Sequence, residues 1–93
     1  STLINELPSY YQGKISVKCD NSKKAEVLEK LKEKLKNERI NTMDGVKIMH
    51  EDWWVLIRPS GTEPIYRIYA EAKSEEKLQE IMEKYRKMLE KII

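Results

Sequence analysis

The side chains best suited to chemistry lie in one short stretch of the chain. It reads Arg58-Pro59-Ser60-Gly61-Thr62-Glu63-Pro64 and is followed by Arg67. The two guanidinium groups can each give forked, charge-assisted hydrogen bonds to phosphate oxygens, and the two hydroxyls add further donors. Gly61 tolerates a positive φ, which would let successive backbone N–H groups converge on an anion. The flanking prolines reduce the entropy lost on ordering. These features predict an anion cradle.

The same stretch also has a purely structural interpretation. It can be a tight turn whose arginines pair with surface acids, for which Glu63, Glu71 and Asp52 are the candidates. Glu63 argues mildly against an anion site, because its carboxylate would repel phosphate unless it turned away or had a cationic partner. No helix follows Pro64, so this is not a phosphate site at a helix N-terminus. On chemistry alone both interpretations stay open.

The elements that must position this stretch are predicted to be strands. Trp53 to Ile57 is a continuous apolar run of strand length, and Ile65 to Ala72 alternates. Lys14 to Lys18 alternates as well, with Ile15 and Val17 on one side. Asp44-Gly45 is a turn signal. Short strands are expected on both sides of that turn, around Ile40, Met43, Val46 and Ile48. Because tight turns join the strands between the helices, we expect them to be antiparallel.

Two amphipathic helices complete the pattern. Lys23 to Glu38 follows N-cap candidates at Asp20-Asn21-Ser22, and the last helix follows an N-cap at Ser74. The apolar faces predicted for the two helices are Val27, Leu28, Leu31 and Leu35, and Leu78, Ile81, Met82, Tyr85, Met88, Leu89 and Ile92. The ion pairs predicted on their outer faces are Glu26–Lys30, Glu80–Lys84 and Glu83–Lys87. Two such helices need a sheet to cover, so the fold class is α+β, a two-layer sandwich of an antiparallel sheet and two helices.

Residues 1–13 are interpreted as a linker and 14–93 as a single domain. Leu3, Ile4 and Leu7 could form a short helical turn that Pro8 ends. The chain has 93 residues, enough for one small domain, and it does not begin with Met, which suggests a piece of a longer protein. No apolar run approaches the ~20 residues of a membrane span, so we expect no membrane partner.

Charge and cysteine content narrow the function classes. The net charge is +2 and the helix lysines are interleaved with glutamates, so we expect a solvated surface and no nucleic-acid partner. Cys19 is the only cysteine, which excludes an intrachain disulfide and fits a reducing cytoplasm. We interpret Cys19 as a small buried residue and His50 as a turn-edge residue. Trp53 and Trp54 should point to opposite sides of their strand, one into the core and the other available to a neighbouring domain.

The motif resembles a known family. Arg58 to Pro64, with Arg67-Ile68-Tyr69-Ala70-Glu71-Ala72 after it, is similar to the C-terminal domain of the α-D-phosphohexomutases. These include phosphomannomutase/phosphoglucomutase and phosphoglucosamine mutase. The resemblance covers nearly the whole chain, since Leu7-Pro8-Ser9-Tyr10 and Asp44-Gly45-Val46-Lys47 also match the family's pattern.

The resemblance implies a fold and a role. The fold would be the TATA-box-binding-protein-like sandwich, in agreement with the pattern above. The family's enzymes have four domains, and a phosphoserine in the first exchanges its phosphoryl group with the sugar through a bisphosphate. The fourth domain holds the phosphate that is not reacting. By position, Arg58, Ser60, Gly61, Thr62 and Arg67 would contact that phosphate. The partners implied are a sugar phosphate and the other domains.

The chain offers no candidate for the phosphoserine loop and no aspartate cluster, so we predict no catalytic residue, metal or cofactor within it. The Mg²⁺ that the resemblance implies would lie in the other domains, and the chain alone would be inactive. We expect the phosphate-binding domain of an enzyme that interconverts hexose 1-phosphate and 6-phosphate, with mannose or glucose as the sugar. The alternatives are a phosphoglucosamine mutase domain, or a stand-alone anion-binding or interaction module.

Overall fold

In the part of the chain that the structure describes, the strands form one antiparallel sheet with two helices against it. The computed structural model describes residues 10–38, 40–41 and 45–93. The elements are β1 (Tyr11–Lys18), a 3₁₀ turn (Asn21–Lys23), α1 (Lys24–Lys34), β2 (Ile40–Asn41), β3 (Val46–Met49), β4 (Trp53–Pro59), β5 (Ile65–Ala72) and α2 (Glu75–Ile92). The spatial order of the strands is β1-β5-β4-β3-β2, and every neighbouring pair is antiparallel. This architecture confirms the predicted α+β two-layer sandwich.

The two faces of the sheet differ in burial because side chains alternate along each strand. On β5, Ile68, Ala70 and Ala72 are buried beneath the helices, as predicted. Residues between them point to the opposite side of the sheet, which no helix of the described residues covers and which we call the open face. Its central strands contribute Trp54, Leu56, Arg58, Arg67, Tyr69 and Glu71. The predicted anion-binding arginines therefore lie on the open face.

The helices begin and end close to their predicted positions. α1 begins at Lys24 and ends at Lys34, four residues before the predicted end at Glu38, and it buries Leu31 completely. α2 begins after Ser74, whose hydroxyl oxygen accepts a hydrogen bond from the Lys77 N–H at 3.1 Å. This confirms the predicted N-cap. No helix within the described part of the chain is both long and apolar enough to cross a membrane.

The surface ion pairs follow the prediction on α1 and depart from it on α2. Lys30 pairs with Glu26 at 3.1 Å, as expected. On α2, Arg86 binds both Glu83 and Glu90, and Lys77 is the residue near Glu80. The predicted Glu80–Lys84 and Glu83–Lys87 pairs were therefore wrong. Arg86 lies within one helical turn of both glutamates, and its planar fork binds two carboxylates better than a lysine does.

The first strand is longer than its apolar alternation indicated. β1 begins at Tyr11, three residues before the predicted strand from Lys14, because pairing with β5 continues to Tyr11 opposite Ala72. Ile40 and Val46 lie in the short strands expected around the Asp44-Gly45 turn. Met43 and the predicted helical turn at Leu3, Ile4 and Leu7 fall outside the described residues.

Candidate anion-binding site

The two arginines of the motif face each other across neighbouring strands. Arg58 near the end of β4 pairs in register with Arg67 near the start of β5. Directly opposed residues in antiparallel strands have Cβ atoms about 4.5–5.5 Å apart, and like charges at that spacing are destabilising. Arg58 is exposed, and its side chain has no ion-pair partner among residues 10–38, 40–41 and 45–93. The pair concentrates positive charge at the base of the loop.

The loop between these strands is closed by the Ser60 hydroxyl. Its oxygen accepts hydrogen bonds from the Thr62 N–H at 3.3 Å and the Glu63 N–H at 3.1 Å. The Ser60 N–H donates to the Ile65 carbonyl oxygen at 3.0 Å across the base of the loop. Serine commonly closes turns in this way. The Ser60 hydroxyl still has its own proton to donate to a ligand.

The expected role of Gly61 needs correction. Among the described glycines only Gly45 has a positive φ, so Gly61 does not form a nest by adopting a left-handed conformation. The reason is that Ser60 already gathers the N–H groups of Thr62 and Glu63. The Gly61 N–H is engaged by no hydrogen bond of the described residues. A Cβ built on Gly61 would meet nothing within 4 Å, so this part of the loop is open.

Glu63 neutralises one of the two arginines. Its Oε1 accepts a hydrogen bond from Arg67 Nη2 at 2.7 Å, on a partly exposed surface. The structural interpretation of the motif predicted this kind of pairing, and for Arg67 it holds. Asp52 and Glu71, the other acids considered, are engaged by Lys73 and the Trp54 indole N–H. Arg67 keeps its Nη1 and Nε donors, because a guanidinium carries five N–H groups.

The back of the loop is held by residues that the motif does not include. The ammonium of Lys24, the first residue of α1, donates to the carbonyl oxygens of Ser60 and Glu63, each at 2.5 Å. The Cys19 N–H donates to the Pro64 carbonyl oxygen at 2.9 Å. Lys24 was expected on a solvated surface, and its contact with the loop was not predicted. Its partners are 36 and 39 residues away, and no local pattern signals contacts at that separation.

Gly45 is a second residue whose role the sequence did not reveal. Its φ is +127°, and a Cβ there would lie 2.5 Å from the Ile57 carbonyl oxygen and 2.8 Å from Arg58 Cβ. Gly45, the residue before β3, therefore packs directly on the backbone that carries Arg58. The Asp44-Gly45 signal predicted a turn but not this contact.

The side chains of the remaining predicted residues take no part in the hydrogen bonds of the loop. Cys19 is 3% exposed, which confirms its interpretation as a small buried residue. Its burial, and to a smaller extent the negative charge of Asp20, raise the pKa of its thiol. His50 stacks on Trp53 with ring centroids 4.2 Å apart. Trp53 packs against the core, whereas Trp54 lies on the open face, where its indole N–H donates to Glu71 at 2.8 Å. The two tryptophans do point to opposite sides.

These features define a two-layer α+β domain with an arginine-flanked loop at one end of its open face. The model of the phosphoglucomutase/phosphomannomutase C-terminal domain matches residues 15–88. The chain belongs to this family. The matched region includes both arginines, the loop and the Lys24 contact behind it.

Three similar proteins support the same assignment. The chain is 50% identical to a phosphoglucomutase/phosphomannomutase of Thermococcus kodakarensis and 44% identical to a probable phosphoglucosamine mutase of Thermococcus gammatolerans, with the whole chain covered in both. It is 41% identical to a probable phosphoglucosamine mutase of Methanopyrus kandleri over 91% of its length. The chain spans about a fifth of the length of these relatives, namely 21%, 22% and 19% in the order given.

Proposed function

We propose that the loop from Arg58 to Arg67 binds the phosphate group of a sugar phosphate. The observation that carries the proposal is the register of β4 and β5, which sets two arginines directly opposite each other. An unliganded like-charge pair costs stability, and a bound dianion would convert that cost into two charge-assisted contacts. The proposed contacts are Arg58, Ser60, Gly61, Thr62 and Arg67.

A phosphate site accounts for the hydrogen-bond donors around the loop better than a simple turn does. Arg58 has no carboxylate partner among the residues described, and the Gly61 N–H and Thr62 hydroxyl lie on an exposed surface. Lys24 adds a third cation behind the loop, against a single carboxylate from Glu63. Phosphate offers several acceptor oxygens, which matches a set of forked and single donors.

The proposed wider role is that of a substrate-positioning domain in a phosphohexomutase. Such an enzyme interconverts hexose 1-phosphate and 6-phosphate, and holding the non-reacting phosphate would orient the reacting end. The phosphoserine and Mg²⁺ implied by the resemblance would come from parts of the protein outside this chain. Relatives are named for glucose, mannose or glucosamine phosphates. We propose mannose or glucose as the sugar and glucosamine as the alternative, and the phosphate that this loop recognises is common to all three.

The test is a titration of the ¹⁵N-labelled chain with inorganic phosphate and then with glucose 6-phosphate. We expect both ligands to move the amide signals of Ser60, Gly61 and Thr62. Binding should be weak, because the chain supplies one wall of a cleft. The Arg58→Ala variant should weaken binding at least about tenfold, the loss of a charged hydrogen-bonding group being worth about 1.5–3 kcal/mol.

The matched control is Arg86→Ala, which removes the same side chain from the outer face of α2. Its partners are Glu83 and Glu90, and it lies on the helical layer rather than on the open face. We expect this variant to bind phosphate as the unaltered chain does. Loop signals that stay still at saturating ligand, or equal losses in the two variants, would contradict the proposed site.

A further inference from the structure

Lys24 lies where it can control the direction of the loop's peptide groups. Its ammonium reaches the carbonyl oxygens of Ser60 and Glu63, each at 2.5 Å. Its own carbonyl oxygen accepts a hydrogen bond from the Tyr66 hydroxyl, also at 2.5 Å. Tyr66 is fully buried on β5, next to Arg67. The start of α1 is therefore tied to the loop through its side chain and to the strand through its backbone.

The peptide between Ser60 and Gly61 links this contact to the site. None of the described peptide bonds is cis, and in a trans peptide the C=O and the following N–H point in opposite directions. When Lys24 holds the Ser60 carbonyl towards α1, the Gly61 N–H must point away from α1. A Cβ built on Gly61 would also meet nothing within 4 Å, so there is free space next to this residue for a ligand.

The other N–H groups of the loop are already used. The Ser60 N–H is bonded to Ile65, and those of Thr62 and Glu63 to the Ser60 hydroxyl oxygen. Proline has no N–H, so Pro64 offers none. Gly61 thus supplies the one backbone donor of residues 60–64 that the described structure leaves for a ligand, and Lys24 sets its direction.

We propose that Lys24 is a positioning residue for the anion site, which it serves by holding the Ser60 and Glu63 carbonyls so that the Gly61 N–H faces the bound phosphate. This inference rests on the proposed function of the loop. Lys24 does not touch the phosphate itself. Its effect is directional, so it differs from the effect of a positive charge placed anywhere nearby.

The experiment compares Lys24→Met with Lys23→Met in a titration of the ¹⁵N-labelled chain with inorganic phosphate. Both variants lose one positive charge at neighbouring positions. The Lys23 side chain is exposed, and no hydrogen bond or ion pair of the described residues involves it. We expect Lys24→Met to weaken phosphate binding about tenfold and to lose the Gly61 amide response. Lys23→Met should change binding less than twofold, and Lys24→Arg should stay within about threefold of the unaltered chain.

A second variant keeps the test decisive if Lys24→Met does not fold. Tyr66→Phe removes only the hydroxyl that anchors the Lys24 backbone, and it should weaken phosphate binding two- to fivefold with a shifted Gly61 amide signal. If Lys24→Met folds and phosphate still moves its Gly61 amide signal as in the unaltered chain, the inference is overturned. If Lys24→Met does not fold, the same result in Tyr66→Phe overturns it. Equal losses in the Lys23 and Lys24 variants would overturn it in favour of general electrostatics. An unaltered chain that binds no phosphate would overturn the proposed function, and the inference with it.

Discussion

Replacing Gly45 with alanine should be among the most damaging single changes near the site. The φ of +127° is one that side-chain-bearing residues rarely adopt, and such conformations cost about 1–3 kcal/mol. The new Cβ would also lie 2.5 Å from the Ile57 carbonyl oxygen and 3.0 Å from Arg58 Cα. Overpacking of this kind costs about 1–3 kcal/mol, and here the obstacle is backbone that cannot rotate away.

The net effect can be estimated by including the unfolded state. Alanine restricts the unfolded chain more than glycine does, and this offsets about 0.4–1 kcal/mol of the lost stability. The free energy of unfolding should therefore fall by about 1–5 kcal/mol, with a central value of about 3 kcal/mol. Each kcal/mol corresponds to roughly 4–8 °C for a domain of this size, so the central value corresponds to a fall in Tm of at least about 12 °C.

The assay is urea unfolding followed by tryptophan fluorescence, with thermal unfolding as a second measure. The matched control is Gly61→Ala, which makes the same change in the unfolded chain at a glycine without a positive φ and without neighbours within 4 Å. We expect that variant to lie within about 1 kcal/mol of the unaltered chain. If Gly45→Ala were equally mild, the close packing of Gly45 against β4 would be refuted.

Three further predictions follow from the described contacts. In the full-length protein, Arg58→Ala or Arg67→Ala should each lower kcat/KM by about 1.5–3 kcal/mol, and near-unchanged values for both would contradict the proposed phosphate contacts. Burial, and then the neighbouring Cys19, raise the pKa of Tyr66 to about 12. The folded state therefore keeps a proton that the unfolded state loses above its ordinary pKa of 10. Stability present below pH 10 should fall by about 2–3 kcal/mol as the pH rises to 12. Urea titrations at pH 9 to 12 should show this fall in the free energy of unfolding. If the same fall persisted in Tyr66→Phe, its assignment to the Tyr66 hydroxyl would be contradicted. The Cys19 thiol, buried and with a raised pKa, should react with a thiol reagent at least about tenfold more slowly than in urea. Equal rates would show that it is accessible.

Local patterns predicted the elements well because their signals lie within a few residues. The alternation of Ile65 to Ala72 follows from the two-residue period of a strand with one buried face. The Ser74 cap follows from the need of a helix N-terminus for an acceptor. The ion pairs of α2 were predicted less well, because several partners lie within reach of each charge and Arg86 competes with the lysines.

The residues of the site were predicted from the sequence, but the conformation and hydrogen bonds of the loop were not. The motif and its resemblance named Arg58, Ser60, Gly61, Thr62 and Arg67. The expected left-handed Gly61 was wrong, because the Ser60 side chain closes the loop instead. A single residue type is compatible with several turn conformations, and the hydrogen bonds of the folded loop decide between them.

By itself, the sequence determined which residues alternate, which helix faces are apolar, and which side chains could bind an anion. These properties depend on neighbours three or four positions away at most. Only the tertiary structure decided that Arg58 faces Arg67, that Glu63 neutralises one of them, and that Lys24 holds the loop from behind. Strand register places the arginines opposite each other. The packing of α1 brings Lys24 to carbonyls 36 and 39 residues away, and no pattern along the chain encodes contacts at that distance.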